Sequence, residues 1–137
     1  MADLVVLDTG PFVALLDRHD PMHRWATKQS KQLRPPFVTC EAVVAEAIFL
    51  LQDVHDGLPQ VSGLLRDGFV RLGFHLDEQL ESITTLMAKY HDVPMSLADA
   101  CLVRMSELHD RARVFTLDAD FKLYRRHGRQ AIPLTIP

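Results

Sequence analysis

The sequence predicts a single α/β domain over residues 1–137, with a mainly parallel central sheet and helices on both of its faces. At 137 residues and 15.5 kDa, the chain is long enough to bury one hydrophobic core and short for two domains. Hydrophobic residues make up 47% of it and charged residues 24%, which is ordinary for a globular protein. Short apolar runs alternate with segments of helical length, and this alternation is typical of α/β folds.

The first apolar run, Leu4–Leu7, is apolar at consecutive positions, as in strands that are covered on both faces. We expect a strand over residues 3–8 and then a helix over 11–17, since proline favours the first helical position. A second helix over 22–33 should follow. The next elements are a strand over 37–40 and an apolar helix over 40–51, which Thr39 would cap.

The second half of the chain continues the alternation of strands and helices. It predicts a helix over 59–66, a strand over 69–72, a helix over 77–90 capped by Asp77, and a helix from Ser96 to about 109. A strand over 113–117, a short helix over 119–125 and a weak strand over 131–134 complete the chain. Pro133 is best tolerated if that last strand lies at an edge. Helices between successive strands imply right-handed crossovers and therefore a parallel sheet.

Composition argues against a membrane protein and against a disulfide. No apolar run reaches the roughly 18 residues that a membrane-spanning helix needs, and no signal peptide precedes the first strand, so we expect a cytoplasmic protein. Cys40 and Cys101 lie in apolar helical segments, as expected of reduced core cysteines.

The net charge is −3, yet cations are concentrated near the C-terminus. Seven of the 15 Lys and Arg residues lie between positions 104 and 129. Two interpretations stay open for them: a solvated helix face, or a surface that contacts phosphates. The candidate phosphate contacts are Arg104, Lys122, Arg125, Arg126 and Arg129.

Four acids occupy unusual positions in the predicted fold. Asp8 and Asp118 each follow a predicted strand, and ligands of parallel α/β sheets bind at the carboxyl ends of the strands. Glu46 lies inside the apolar run AVVAEAIFLL, and Asp99 lies one turn into the helix SLADACLV, whose neighbouring positions are apolar. Asp8 and Asp118 are therefore expected at the same edge of the sheet.

Most of these acids also have structural explanations. Asp8 can stabilise a turn, and Asp99 stands at the capping-box distance from a serine. Asp118 can cap a helix whose positive end Asp120 also favours. Glu46 has the weakest such explanation, because glutamate is almost never fully buried without a partner and no basic residue lies within a turn of it. Four acids in such positions together favour a functional site.

Clustered carboxylates need a cation, a proton or water. Two carboxylates about 4–5 Å apart repel each other by roughly 3–4 kcal/mol at an effective dielectric near 20. Hard cations such as Mg²⁺ bind through one or two carboxylates, waters and phosphate oxygens, and they make hydroxide available near neutral pH. This chemistry suits the hydrolysis of a phosphodiester without a protein nucleophile.

The segments VVLDTGPFVALLD, VAEAIFLL, SLADACLV and VFTLDADF resemble, in order and spacing, the four acidic motifs of the PIN domain. The resemblance extends from Asp3 to about Leu134, and the size without an added domain resembles that of VapC-type toxins, the ribonuclease halves of toxin–antitoxin pairs. It implies a PIN-like domain that acts as a Mg²⁺- or Mn²⁺-dependent endoribonuclease. The partners it implies are an RNA substrate, a cognate antitoxin protein and a second copy of the chain in a homodimer.

The resemblance also implies catalytic roles for the four acids. Asp8 and Asp99 would be the firmest metal ligands, and Asp118 would complete the metal's shell. Glu46 would orient a metal-bound water or a second metal.

Accessory positions of the family lie beside the acids. Thr9 and Thr116 match small polar positions that would bond the acids or the metal's waters, and Asp120 is an extra acid to which the resemblance gives no role. Glu41 is a poorer second acid than Glu46, because its place in the first turn of a helix is accounted for by the helix dipole alone.

Three other protein classes fit the residues less well. A phosphoacceptor receiver domain also places acids at strand ends, but here the strand FVRLG ends without an aspartate and the strand AIPL lacks a lysine. A haloacid-dehalogenase-like phosphatase would have an acid two residues after Asp8, where Gly10 stands. A non-catalytic PIN-like module that binds RNA or a partner stays open as the alternative. Such a module is expected to lack at least one acid, and all four are present.

Overall fold

Short strands and helices alternate along the computed structural model, which describes residues 3–137. Its strands are β1 (Leu4–Leu7), β2 (Phe37–Thr39), β3 (Val70–Leu72), β4 (Ala112–Phe115), β5 (Arg125–Arg126), β6 (Gln130–Ala131) and β7 (Leu134–Thr135). Its α-helices are α1 (Thr9–Leu16), α2 (His23–Leu33), α3 (Glu41–Leu50), α4 (Gly57–Arg66), α5 (Leu80–Lys89) and α6 (Leu97–Leu108). Two short 3-10 helices cover Asp77–Gln79 and Ala119–Lys122.

Five strands form one parallel sheet in the order β3-β2-β1-β4-β7, with β1 at its centre. Val5, Val6 and Leu7 of β1 are all buried. Because successive side chains of a strand point to opposite faces, this burial means that both faces of the sheet are covered. The predicted α/β class, with a parallel sheet between helices, is confirmed.

The order of the strands creates a switch point at the carboxyl end of β1. From β1 the chain moves outward to β2 and β3, and it then returns to the other side of β1 as β4. Leu7 and Phe115, the last residues of β1 and β4, are register partners, and the Asp8 amide donates to the Phe115 carbonyl at 3.0 Å. The residues that follow these two strands therefore emerge side by side, which is where ligands bind in such sheets.

Several helix starts differ from the prediction. Helix α1 begins at Thr9 rather than at residue 11, with Asp8 at its N-cap. Thr39 does not cap α3: it is the last residue of β2, its hydroxyl donates to the Leu7 carbonyl at 2.7 Å, and Cys40 stands at the N-cap. Asp77 lies inside a 3-10 helix and makes no capping hydrogen bond.

The C-terminal region contains an antiparallel hairpin, β5–β6, that the sequence analysis does not predict. Its turn has positive φ at His127 (52°) and Gly128 (79°), a conformation that favours glycine. The helix predicted over 119–125 is a shorter 3-10 helix, because residues 125 and 126 belong to the hairpin. The strand predicted over 131–134 has the wrong bounds, because Ala131 belongs to β6 and β7 begins only after Pro133. As predicted, this last strand lies at the edge of the sheet.

Both cysteines, Cys40 and Cys101, are buried and free, as predicted. None of the helices in residues 3–137 combines the length and the apolar character that crossing a membrane requires.

Candidate active site

A cleft of about 430 Å³ opens at the carboxyl end of the sheet, and all four predicted acids line it. Asp8 follows β1 and Asp118 lies three residues after β4, while Glu46 comes from α3 and Asp99 from the first turn of α6. The lining residues are Asp8, Thr9, Gly10, Glu46, Leu50, Ser96, Asp99, Leu117 and Asp118. Segments that are far apart in the sequence thus bring the acidic motifs to one place.

Asp8 is the most deeply placed of the acids, with 7% of its surface exposed. Its Oδ1 accepts a hydrogen bond from the Thr9 amide at 2.8 Å, and its Oδ2 accepts one from the Thr116 hydroxyl at 2.6 Å. Burial raises the pKa of Asp8 from 3.8 to about 6. The two hydrogen bonds lower this pKa, and the charges of Asp99 and Asp118 raise it further.

Asp99 is held at the start of α6 by a capping box. Its backbone amide donates to the Ser96 hydroxyl at 3.0 Å, and its Oδ2 accepts from the Ser96 amide at 3.2 Å. The Tyr124 hydroxyl donates to the same Oδ2 at 3.3 Å. Burial raises the pKa of Asp99, and the charge of Asp118 raises it further. The predicted capping role is present, and it coexists with a position in the cleft.

Thr116 and Asp118 link the end of β4 to the acid that follows β1. The Thr116 hydroxyl donates to Asp8 and accepts from the Asp118 amide at 2.9 Å. Asp118 caps the following 3-10 helix, because its Oδ1 accepts from the Asp120 amide at 2.9 Å. Asp120 is half-buried and is not among the residues that line the cleft.

Glu46 is exposed, which corrects the expectation that it lies buried in an apolar helix. Phe49 and Leu50 of the same helix are 65% and 51% exposed, so apolar residues of α3 face outward as well as inward. The Oε2 atom of Glu46 accepts a hydrogen bond from the Thr9 hydroxyl at 3.2 Å. Thr9 therefore contacts two of the acids, Glu46 through its hydroxyl and Asp8 through its amide.

The donors in the cleft suit a hard cation, although they do not form a ready-made cage. Among residues 3–137, no group of three or more His, Cys, Asp or Glu side chains is already arranged to hold a metal ion. Mg²⁺ needs no such group, because it binds through one or two carboxylates and keeps several waters. The negative charges of neighbouring acids contribute to the raised pKa values of Asp8 and Asp99. This repulsion is a second reason for a cation to bind here.

The candidate phosphate contacts differ in their exposure and in their hydrogen bonds within the protein. Arg104 donates to Gln79 at 2.8 Å and to Glu107 at 3.2 Å. Arg125 is half-buried, and its guanidinium donates to two backbone carbonyls. Arg126 is buried and donates to the Asp110 carbonyl, so it is removed from the candidate RNA contacts. The exposed members of the set are Lys122 and Arg129.

Sequence reasoning missed Tyr124. This residue is fully buried, and its hydroxyl contacts Asp99 across 25 positions of the chain. Its ring packs edge-on against Tyr90 and Phe121, at centroid distances of 5.1 and 5.2 Å. No motif or spacing marks it, because the contact depends on how the segment after Asp118 folds back onto α6.

Comparison with known proteins identifies the family of the chain. A family model described as the PIN domain matches residues 5–126. No curated protein matches the chain. PIN domains are generally nucleases, and they typically bind divalent metals. The matched segment contains all four acids of the cleft and, apart from Leu4, every helix and strand from β1 to β5. The chain belongs to the PIN-domain family.

Proposed function

We propose that this chain is a Mg²⁺- or Mn²⁺-dependent endoribonuclease, and that it is the toxin of a type II toxin–antitoxin pair. The observation that carries the nuclease proposal is the convergence of Asp8, Glu46, Asp99 and Asp118 on one cleft. These are the acids that the ordered motif set assigns to catalysis, and separate structural roles would not require them to share a cleft.

Asp8 and Asp99 would hold the metal, with Asp118 completing its shell. When bound, the metal would supply a water of lowered pKa and stabilise the charge on the leaving oxygen. The protein prepares for this by fixing its carboxylates. Both oxygens of Asp8 are oriented by hydrogen bonds, and Oδ2 of Asp99 is held by two donors.

Glu46 has a different task in this proposal. It is exposed, and only its Oε2 contacts Thr9 within the part of the chain that the structure describes. A glutamate in this position can orient the attacking water and accept its proton, which is how general bases act. Thr9 keeps the carboxylate over the cleft and ties its position to that of Asp8.

A cleavage assay on RNA, with and without metal, tests the proposal. Asp8→Asn, Glu46→Gln and Asp99→Asn should each lower the rate by roughly 100-fold or more, as expected when a key charged group is removed from an active site. Glu41→Gln is the matched control: Glu41 lies on the same helix as Glu46 but outside the cleft, and its loss should leave cleavage nearly intact. Wild-type rates in all three site variants, or activity that persists in EDTA, would refute the proposal.

The toxin role rests on the order of the four acidic motifs, which resembles that of VapC-type toxins. Expression of the chain alone should arrest growth, and Asp8→Asn should relieve the arrest. An adjacent reading frame that encodes a small DNA-binding protein should restore growth when it is expressed together with the chain. Normal growth of cells that accumulate active wild-type enzyme would contradict the toxin role and leave the nuclease proposal intact. A homodimer and a cytoplasmic location belong to the same proposal.

The alternative is a non-catalytic PIN-like module that binds RNA or a partner. The observation in its favour is that the described residues contain no ready-made group of three metal ligands. The two functions differ in the cleavage assay, since a binding module would retain RNA without cutting it at any metal concentration.

A further inference from the structure

Helix α2 has a cationic face outside the cleft. Arg24, Lys28 and Lys31 are spaced by four and three residues, which places them on one side of the helix, and all three are exposed. The helix, HRWATKQSKQL, contains no Asp or Glu. In a chain with net charge −3, α2 is thus a local concentration of positive charge. We call these three residues the α2 basic face.

The charges of the α2 basic face are not used inside the protein. Within residues 3–137, none of Arg24, Lys28 and Lys31 forms an ion pair, although other arginines do so with Asp3 and Glu107. Two of the C-terminal cations are already used inside the protein, since Arg104 is paired and Arg126 is buried, whereas Lys122 and Arg129 are exposed. Cations without internal partners on a regular helix remain available to an external anion.

The surface around these charges is suited to phosphates rather than to a protein partner. A groove of about 440 Å³ lies along it, and every residue that lines it has N–H or O–H donors. The lining residues are His23, Arg24, Thr27, Lys28, Lys31 and Gln32. The residues that anchor protein interfaces are enriched in Trp, Tyr and Arg, and the groove contains neither Trp nor Tyr. Phosphate groups need only cations and donors.

The helix is fixed relative to the cleft. Trp25, which follows Arg24 in α2, packs edge-on against Phe115 at 5.6 Å, and Phe115 ends the strand that leads to Thr116. The His23 ring lies 2.7 Å from the Ala14 carbonyl of α1, the helix that Asp8 caps. These contacts connect α2 both to the strand that leads to Thr116 and to the helix that Asp8 caps.

We propose that the α2 basic face binds the phosphate backbone of RNA outside the cleft and so contributes to affinity for substrates longer than the cleft itself. This inference rests on the proposed function for the identity of the polyanion. It assigns to α2 a role in binding and none in the chemical step.

Salt dependence of RNA binding tests the inference. The triple variant Arg24→Gln, Lys28→Gln, Lys31→Gln should bind a labelled single-stranded RNA more weakly. Its log–log slope of affinity against salt should be less steep by about 2, since each phosphate contact contributes about 0.7 for single strands. Glutamine is a good helix former, so α2 should persist. Binding is measured in an Asp8→Asn background so that the RNA stays intact.

A matched control removes three positive charges from surface positions outside α2. Arg18, Arg66 and Arg71 are exposed, lie outside α2 and are not among the candidate RNA contacts. The variant that changes all three to glutamine should keep the wild-type slope. An unchanged slope in the α2 variant would overturn the inference, and so would equal losses in both variants, which would indicate only the change of net charge. If the α2 variant lost binding to polyglutamate while its RNA slope stayed unchanged, the α2 basic face would bind an acidic protein instead. That result would also overturn the inference.

The outcomes separate this inference from the proposed function. Wild-type cleavage together with an unchanged slope refutes the role of α2 and leaves the nuclease standing. Absence of cleavage together with a reduced slope in the α2 variant supports the binding face and refutes the nuclease.

Discussion

Asp8 is costly to ionise in the metal-free protein. Its pKa is raised from 3.8 to about 6, mainly by burial. A shift of this size corresponds to about 3 kcal/mol of differential stability. The native state binds the proton more tightly than the unfolded state does. The contribution of Asp8 to stability is therefore fully present below about pH 4 and is lost as the pH rises through 6.

Replacing Asp8 with asparagine should stabilise the metal-free protein at neutral pH. The variant removes the cost of the buried charge but weakens one of two hydrogen bonds, which costs about 1 kcal/mol, so we expect a net gain of roughly 1–2 kcal/mol. Urea unfolding in EDTA between pH 4 and 8 measures it. The loss of stability between pH 4 and 6 should be smaller in Asp8→Asn than in wild type. Parallel profiles would show that Asp8 does not titrate in this range.

In the proposed site, Tyr124 would position Asp99, a proposed metal ligand, through its hydroxyl. Tyr124→Phe removes the hydroxyl that donates to Asp99 while keeping the ring, and loss of such a supporting hydrogen bond typically lowers metal affinity by roughly 10–100-fold. Calorimetric titration with Mn²⁺ measures the change.

Tyr90→Phe is the matched control for Tyr124. Tyr90 is also buried, and its hydroxyl accepts a hydrogen bond from the Arg125 amide instead of contacting an acid. The Tyr90→Phe variant should be less stable than wild type but should bind Mn²⁺ with the same affinity. Equal affinities in the two variants would mean that the Tyr124 hydroxyl is only structural.

At the scale of an element, the first turn of α6 contains both a helix cap that stabilises the fold and an acid of the cleft. Ser96→Ala removes the hydroxyl that accepts from the Asp99 amide, and loss of such a cap costs about 1 kcal/mol. Ser62→Ala, inside α4, is the comparison and should be neutral or slightly stabilising, because alanine is the better interior helix former. Urea midpoints measure both. No difference between them would indicate that the capping box contributes nothing to stability.

Elements with a strong local signal were predictable, and those that depend on tertiary contacts were not. The cap at Ser96 follows from spacing alone and is present. Threonine is a common helix cap, but the Thr39 hydroxyl donates to the Leu7 carbonyl of the neighbouring strand instead. The β5–β6 hairpin is polar and only two residues deep on each side, so it lacks the alternation that marks a strand.

For the molecule as a whole, a bound cation should raise the melting temperature. Binding to the native state stabilises it by mass action, by about 2.7 kcal/mol when the ion is at 100 times its dissociation constant. If Asp8, whose pKa is about 6, holds the metal as proposed, proton and metal compete for it. The shift with Mg²⁺ or Mn²⁺ should then be larger at pH 8 than at pH 5. Thermal melts at both pH values measure it, and Asp8→Asn should reduce the shift. Equal shifts at both pH values in wild type and variant would place the ion elsewhere.

The meeting of the acids could be predicted because it follows from topology. Strands on either side of a switch point deliver Asp8 and Asp118 to one edge, whatever their side-chain details. The exposure of Glu46 and the burial of Arg126 could not be predicted, because they depend on which face of an element the neighbouring elements cover. Charge alone marks a candidate surface residue, and it does not show whether the residue stays on the surface.

The hydroxyl of Thr116 fixes which groups donate and which accept hydrogen bonds around Asp8. Its one proton goes to Oδ2 of Asp8, and one of its lone pairs accepts the Asp118 amide. The other oxygen of Asp8 already faces the Thr9 amide. A proton taken up by Asp8 therefore leaves both donors in place only if its O–H points toward open space. Acidification therefore removes the negative charge with which the innermost carboxylate could hold a cation.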